Sequence, residues 1–301
     1  EGAMSDSHEE LDIPLPDGTL RVLRWGGGGR AAVALHGITA SAMSWQAVAR
    51  ALSPDWTLYA PDLRGRGGSA TLPGPYGLDR QVADVVTVAR QLRLARPVLA
   101  GHSFGAYIAL LAMAGHASAF GGLLLVDGGI PLPVPDGMDF DAALSATLGP
   151  ALARLHQTFP TTEAYFGFWR AHPALKDSWN SDIEDYLRYD LTGPDGAKRS
   201  RVIEAAVREN GRDLLARGRD FGTALRELSA SARLLRAPAG IFGQPPGLLP
   251  EELCRAWLEQ APNLTVETLA GANHYTLVLD PAHAATVAQR LTQLAESNSA
   301  R

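Results

Sequence analysis

An α/β fold, with a mostly parallel central sheet flanked by helices on both faces and an inserted all-helical segment, is predicted by three features of the 301-residue chain. Short apolar runs bounded by glycine alternate with stretches of helical periodicity as far as residue 130. The strand signal then disappears from about Pro131 to about Arg236, where helices with recognisable starts take over. The alternation resumes from residue 237. The expected division is a core of residues 1–130 and 237–301, with residues 131–236 inserted as a cap.

LDIPLP and TLRVLRW read as a hairpin around an Asp17-Gly18 turn. The glycine run Gly26 to Gly29 leads into AAVALHG, an apolar run that suits a strand buried on both faces. A helix around Met43 to Leu52 and a second buried strand, WTLYAPDL, follow. Leu78, Val82, Val85, Val86, Ala89 and Leu92 recur at helical spacing. PVLAGHS is then a strand, FGAYIALLAMAG a helix and GLLLVDGG a strand. Within the cap, Ser181 followed by Glu184 has the pattern of a capping box. Beyond it, PAGIFG reads as a strand, Glu251 opens a helix, LTVETLAGA is a strand, and Asp280-Pro281 opens the last helix.

A net charge of -5 gives no electrostatic grip on nucleic acid or an anionic membrane, so a small molecule is the expected partner. No apolar run is long enough to span a bilayer. The single cysteine, Cys254, excludes an internal disulfide and a cysteine metal cluster, and reads as a packed hydrophobe in a helix. The opening EGAMSDSHEE lacks the basic and apolar regions of a signal peptide, and its first residues read as an expression scar ahead of Met4. These features together lead to an expectation of a cytoplasmic protein, with no metal or organic cofactor.

Chemistry concentrates in GHSFG, which has the G-x-S-x-G pattern with an apolar strand before it and a helix after it. That context lifts the Ser103 hydroxyl clear of the sheet, with small residues at Gly101 and Gly105 avoiding clashes. The Phe104 N–H, at the start of the new helix, is aimed at a substrate oxygen. A serine hydroxyl is a poor nucleophile at neutral pH and needs a base. His274, in a loop between a strand and a helix, follows the serine in chain order and is the candidate. His8 lies in a polar tail, and His116, His156, His172 and His283 sit in or beside helix-like stretches, where surface or packing roles suffice. His102, the variable residue of the motif, is expected to pack away from the nucleophile. His36 belongs to HGITAS, a loop expected to form the opposite wall, with the Ile38 N–H as second oxyanion donor and Gly37 permitting the turn.

HGITAS, PDLRGRGGS, GHSFGA, LLLVDGG and GANHYTLVLD, in that order, resemble the α/β-hydrolase superfamily over almost the whole chain. The resemblance implies an α/β-hydrolase fold with a helical cap and a serine esterase, lactonase or thioesterase activity. Epoxide hydrolases and haloalkane dehalogenases of that superfamily carry aspartate where Ser103 stands, which argues against those activities. Asp62 and Arg64 are implied to brace loops. Most members place the triad acid after the strand following the cap, but here Gly243 and Gln244 occupy that place. Glu251 and Glu252 come later, where they complement a helix dipole. Asp127, at the end of the strand after the serine's, is the alternative, as in certain thioesterases and zearalenone-type lactonases. It would hold the His274 tautomer and stabilise the imidazolium.

Ile38, Met43, Trp45 and Phe104 are expected to contribute to an apolar pocket. The cap carries Phe159, Tyr165, Phe166, Phe168, Trp169, Trp179, Tyr186 and Tyr189; most should pack the cap, with Phe166 and Trp169 facing substrate. The leading expectation is hydrolysis of a hydrophobic ester or lactone through an acyl-enzyme. Thioester hydrolysis and ligand binding without turnover are the alternatives. The stretch AKRSRVIEAAVRENGRDLLARGR is expected to be a solvated helix face, with docking of an acidic carrier protein as the alternative.

Overall fold

The computed structural model describes residues 7–299. The reading made of the segment ahead of Met4 falls outside them. Strands β1 (Glu9–Leu15) and β2 (Gly18–Gly26) pair antiparallel, Leu15 opposite Gly18, so the turn residues are Pro16 and Asp17, one position earlier than expected. β3 (Arg30–Leu35), α1 (Gln46–Ala51), β4 (Trp56–Pro61), α2 (Leu78–Gln91), β5 (Val98–His102), α3 (Phe104–Gly115) and β6 (Gly122–Val126) follow. The inserted region holds α4 (Phe140–Leu148), α5 (Pro150–Ala153), α6 (Thr162–Arg170), α7 (Ser181–Asp190), β7 (Leu191–Thr192), β8 (Arg199–Ser200), α8 (Glu204–Ala216) and α9 (Gly218–Arg226). The chain closes with β9 (Ala232–Arg236), α10 (Glu251–Leu258), β10 (Leu264–Thr268), α11 (Thr276–Leu279) and α12 (Pro281–Ser299).

The eight-stranded sheet has the order β1-β2-β4-β3-β5-β6-β9-β10 and is parallel from β4 through β10. It divides two apolar layers by the two-residue period of a strand. Ala32 and Ala34 of β3 face a layer containing Trp45, Trp56, Val287 and Leu291, while Val33 and Leu35 face Val85, Ile108, Phe221 and Leu225. β3, β5 and β6 are covered on both sides, which explains their unbroken apolar runs. This is the α/β-hydrolase fold. The three strands end on the same side of the sheet, and the candidate site residues sit just past those ends.

Cys254 is buried in the second layer, and burial pushes its thiol up to about 11. Among the described residues, no helix is long and apolar enough to cross a membrane.

Three local readings need correction. The strand after the insertion is ARLLR, not PAGIFG, so the boundary drawn at residue 236 falls at its end. Arg233 and Arg236 broke the apolar pattern that would have revealed it. Arg236 is nevertheless buried, donating to Leu249 O and Thr268 Oγ1. Secondly, the insertion is not all-helical, because β7 and β8 pair over two residues each, too few to show an alternation. Thirdly, α7 is capped by Asn180, whose Oδ1 accepts the Ile183 N–H at 3.1 Å. Ser181 is already helical, and Glu184 accepts instead from Trp179 Nε1.

Candidate active site

Ser103 occupies the turn between β5 and α3 with φ 54° and ψ -121°, a left-handed conformation that costs a non-glycine residue about 1–3 kcal/mol. The fold holds it there: the Ser103 N–H donates to Val126 O at 2.8 Å, and Ser103 O accepts from the Ala106 N–H at 2.9 Å. Two glycines make the turn sterically possible. A Cβ on Gly101 would lie 2.2 Å from Gly105 O, and one on Gly105 would lie 2.3 Å from Leu35 O, so strand and helix approach as closely as bare backbone allows.

Asp127 directly follows β6, fully buried and with φ 47°. Its Oδ1 accepts the Ala237 N–H at 3.1 Å and its Oδ2 lies 2.7 Å from His274 Nδ1. The first contact orients the carboxylate so that the second oxygen faces the ring. His274 is itself buried, and lines a cavity of about 40 Å³ together with Ser103, Gly37, Ile38, Tyr186, Tyr275 and Leu148. The first turn of α11 and an Asn273 side chain that accepts from the Tyr275 and Thr276 N–H groups fix the loop carrying the ring. Glu251 and Glu252 are exposed at the start of α10, and Glu251 pairs with Arg255.

The facing loop begins at His36. Leu63 N–H donates to His36 Nε2 at 2.9 Å, so the ring proton sits on Nδ1, which donates to Gly37 O at 2.8 Å. Among the described residues, neither the Ile38 N–H nor the Phe104 N–H has a hydrogen-bond acceptor. Ile38, Phe104 and Ser103 together line a second cavity of about 70 Å³, with Leu144, Leu148, Leu214 and Ile241. His102 does not simply point away: its Nε2 lies 2.8 Å from His274 O and its ring centroid 4.8 Å from that of His274. It braces the loop that carries the candidate base. Asp62 accepts from the Ala42 and Gly68 N–H groups and from the Tyr189 hydroxyl, while Arg64 bridges Asp17 and Asp84, so both join loops.

Of the six residues expected around the substrate, Ile38 and Phe104 line a cavity and the other four lie elsewhere. Trp45 is fully enclosed in the core layer, at the end of the short 3₁₀ turn Ala42–Trp45, and Met43 borders a surface groove with His8 and Glu10. Phe166 packs against Trp179 under Arg170 and Arg188. Trp169 stands one layer behind the cavity, edge-on to Tyr275 at 6.4 Å. The cap helices consume these rings in their own packing. The lining residues that sequence reasoning missed include Tyr275, which its place beside His274 could have revealed, and Leu148, Leu214 and Ile241, which carry no local signal. Among the described residues, no group of three or more His, Cys, Asp and Glu is placed to hold a metal ion.

Burial makes this region acid-sensitive. His36 and His102 are each pulled down to about 3 by desolvation of the charged ring. Unfolded, both titrate near 6.5, so between these values the unfolded chain binds more protons. Their contribution is complete above pH 6.5 and is lost as the pH falls toward 3, by about 2 kcal/mol per ring at pH 5. Asp62 opposes this, since burial raises it to about 6 and protonation relieves roughly 1 kcal/mol by pH 5. His172, drawn down to about 4 by burial, adds a loss in the same direction, so urea unfolding is expected to show a net loss of several kcal/mol between pH 7.5 and pH 5. An unchanged or higher midpoint at pH 5 would contradict the neutral assignment of both rings.

A model of the alpha/beta hydrolase family matches residues 32–290. N-formylmaleamate deformylase of Pseudomonas putida is 42% identical over 106 residues, covering 35% of this chain and 40% of that protein. The putative carbamate hydrolase RutD of Caulobacter segnis is 35% identical over 107 residues, again 35% of this chain and 40% of that protein. The chain thus spans two-fifths of the length of these curated relatives. In three dimensions, E-2-(acetamidomethylene)succinate hydrolase superposes with a TM-score of 0.79 at 20% identity, over 95% of this chain and 100% of that one. The thioesterase domain from the curacin biosynthetic pathway gives 0.77 at 19% identity, over 95% and 99%. With the family model covering most of its length, the chain belongs to the alpha/beta hydrolase family.

Proposed function

We propose that this protein is a serine hydrolase that cleaves a hydrophobic ester or lactone through an acyl-enzyme. The observation that carries this reading is the buried Asp127–His274 pair, 2.7 Å apart, with His274 lining one cavity together with the strained Ser103 turn. As Ser103 Oγ bonds to the acyl carbon, its proton passes to His274 Nε2, and the carbonyl oxygen becomes an oxyanion held by the Ile38 and Phe104 N–H groups. The bond to the leaving oxygen then breaks as His274 returns the proton to it. Water attacks the acyl-enzyme, giving one proton to His274, and Ser103 recovers it as the acid departs.

Proton return assigns the two compartments. The leaving group must lie on the side His274 lines, the cavity with Tyr186 and Tyr275. The acyl group then takes the cavity that His274 does not line, among Leu132, Leu144, Leu214 and Leu248. Its size, about 70 Å³, favours compact acyl chains. A second reading, cleavage of a C–N bond, is favoured by the likeness to a deformylase and a carbamate hydrolase. His274 would protonate a departing nitrogen by the same route. Docking of a carrier protein has less support, because Arg208, Arg212 and Arg217 of the basic stretch are paired with Glu204, Asp141 and Asp79.

The test is kcat/KM across matched oxygen esters, thioesters and amides, from acetyl to decanoyl, for the native protein and Leu214→Trp. Each added methylene is expected to raise the native value by about fourfold, from about 0.8 kcal/mol per methylene, until the cavity is full. Leu214→Trp should lower the longer chains tenfold or more relative to acetyl while Ser103 still reacts with a small fluorophosphonate. An identical chain profile in the variant would sink the acyl assignment. Labelling of Ser103 without turnover of any substrate would favour a ligand-binding role.

A further inference from the structure

Three consecutive carbonyls of the loop after β3 are each taken by a buried side chain from a different part of the chain. Gly37 O accepts from His36 Nδ1 at 2.8 Å. Ile38 O accepts from Arg66 Nε at 3.0 Å and Nη2 at 2.8 Å. Thr39 O accepts from Arg154 Nη2 at 2.8 Å. Arg66 follows β4 in the core, whereas Arg154 lies just after α5 in the inserted region, and neither is more than 1% exposed.

Two features separate this arrangement from ordinary loop packing. Among the described residues, the hydrogen-bond acceptors of Arg66 are main-chain carbonyls, those of Ile38 and Arg64, with no carboxylate among them. A buried guanidinium without a counter-ion costs several kcal/mol, and burial accordingly lowers its pKa. Neutral packing would avoid that cost. A cation beside this loop is favourable when negative charge appears in the site, so its interaction strengthens from ground state to transition state. Arg154, by contrast, is anchored within the inserted region: Tyr165 Oη at 2.9 Å, and Asp190, which accepts from Ser200 Oγ at 2.8 Å. Its reach to Thr39 O ties the inserted region to the loop.

We propose that Arg66 and Arg154 are positioning residues that hold the Ile38 N–H in register for the oxyanion, with Arg154 making that donor depend on the seating of the cap. This rests on the serine hydrolase reading above. Arg66 fixes the Ile38–Thr39 peptide and Arg154 the Thr39–Ala40 peptide, so the backbone that follows the Gly37–Ile38 donor peptide cannot rotate away and carry its N–H out of line. His36 holds the oxygen of the very peptide whose N–H is the donor.

The experiment compares an oxygen ester with its thionoester for the native protein, Arg66→Met, Arg66→Lys, Arg154→Met and Arg154→Lys, with kcat and KM measured separately. Sulfur is a larger and weaker hydrogen-bond acceptor, so loss of the oxyanion donor penalises the oxygen ester selectively. Each Met variant should lose about 10–100-fold in kcat on the oxygen ester. KM should stay within about threefold, and the oxygen-to-sulfur rate ratio should fall about tenfold or more. Lysine should restore part of that ratio. Equal losses on both substrates, or a change confined to KM, would overturn the proposal. If a Met variant does not fold, the Gln variant at the same position, which shortens the side chain and removes its charge, carries the comparison, and an unchanged ratio there overturns the proposal equally. A native protein that turns over neither substrate would instead remove the hydrolase reading itself.

Discussion

Ser103→Ala is expected to lower kcat on model esters by about 10⁶-fold while leaving the protein folded. On the proposed mechanism the loss is large because serine and histidine act as a unit: without the hydroxyl, His274 has no proton to take and no acyl-enzyme forms. Stability should barely change, since the side chain contributes little packing and alanine bears the same φ of 54° with similar strain. Ser103→Gly provides the internal control. Glycine adopts that angle freely, so this variant should be as inactive as alanine yet more stable by about 1 kcal/mol, read as a higher urea midpoint. Native-level turnover by either variant would remove Ser103 from the mechanism.

Asp127→Asn is expected to cost about 10⁴-fold in kcat, with KM and fold preserved. The geometry specifies why. Asp127 Oδ1 accepts the Ala237 N–H, and an asparagine would keep its oxygen there, forcing its NH₂ group toward His274 Nδ1. The ring would then carry its proton on Nε2, the nitrogen that must accept the Ser103 proton. Near-native kcat in this variant would show that Asp127 does not orient the base. Glu251→Gln and Glu252→Gln are the matched controls and should be indistinguishable from the native protein, since both groups are exposed at the start of α10.

Both predictions rest on features legible before any coordinates. The Ser103 turn was readable because its determinants are local: an apolar strand, two glycines that permit close approach, and a helix. Asp127 was readable from its place at the end of the strand after the serine's, with Gly243 and Gln244 where another acid would stand. The strand bearing Arg233 and Arg236 was not, because its charged side chains find partners on β10, α12 and the loop after β9 that no local pattern reveals. The substrate-facing residues were hardest. Whether Trp169 or Leu214 borders the cavity depends on how the cap helices pack, and aromatic content alone points to the cap interior as readily as to the ligand. Arg66 and Arg154 escaped notice for a similar reason, since the carbonyls they hold lie 28 and 115 residues away in sequence.

The site therefore combines a locally encoded candidate nucleophile with distantly encoded surroundings. The backbone of Ser103 and the Asp127–His274 pair follow from strand ends that the parallel sheet brings together. The compartments on either side, and the clamp on the facing loop, depend on the inserted region being packed in place.

The most direct test is a single-turnover chemical quench with p-nitrophenyl butyrate, followed by proteolysis and mass spectrometry. A butyryl group should appear on the peptide containing Ser103 at the time p-nitrophenol is released, and should be absent from Ser103→Ala. Release of p-nitrophenol with the butyryl group on another side chain, or with no adduct at any time in the first turnover, would contradict the acyl-enzyme account.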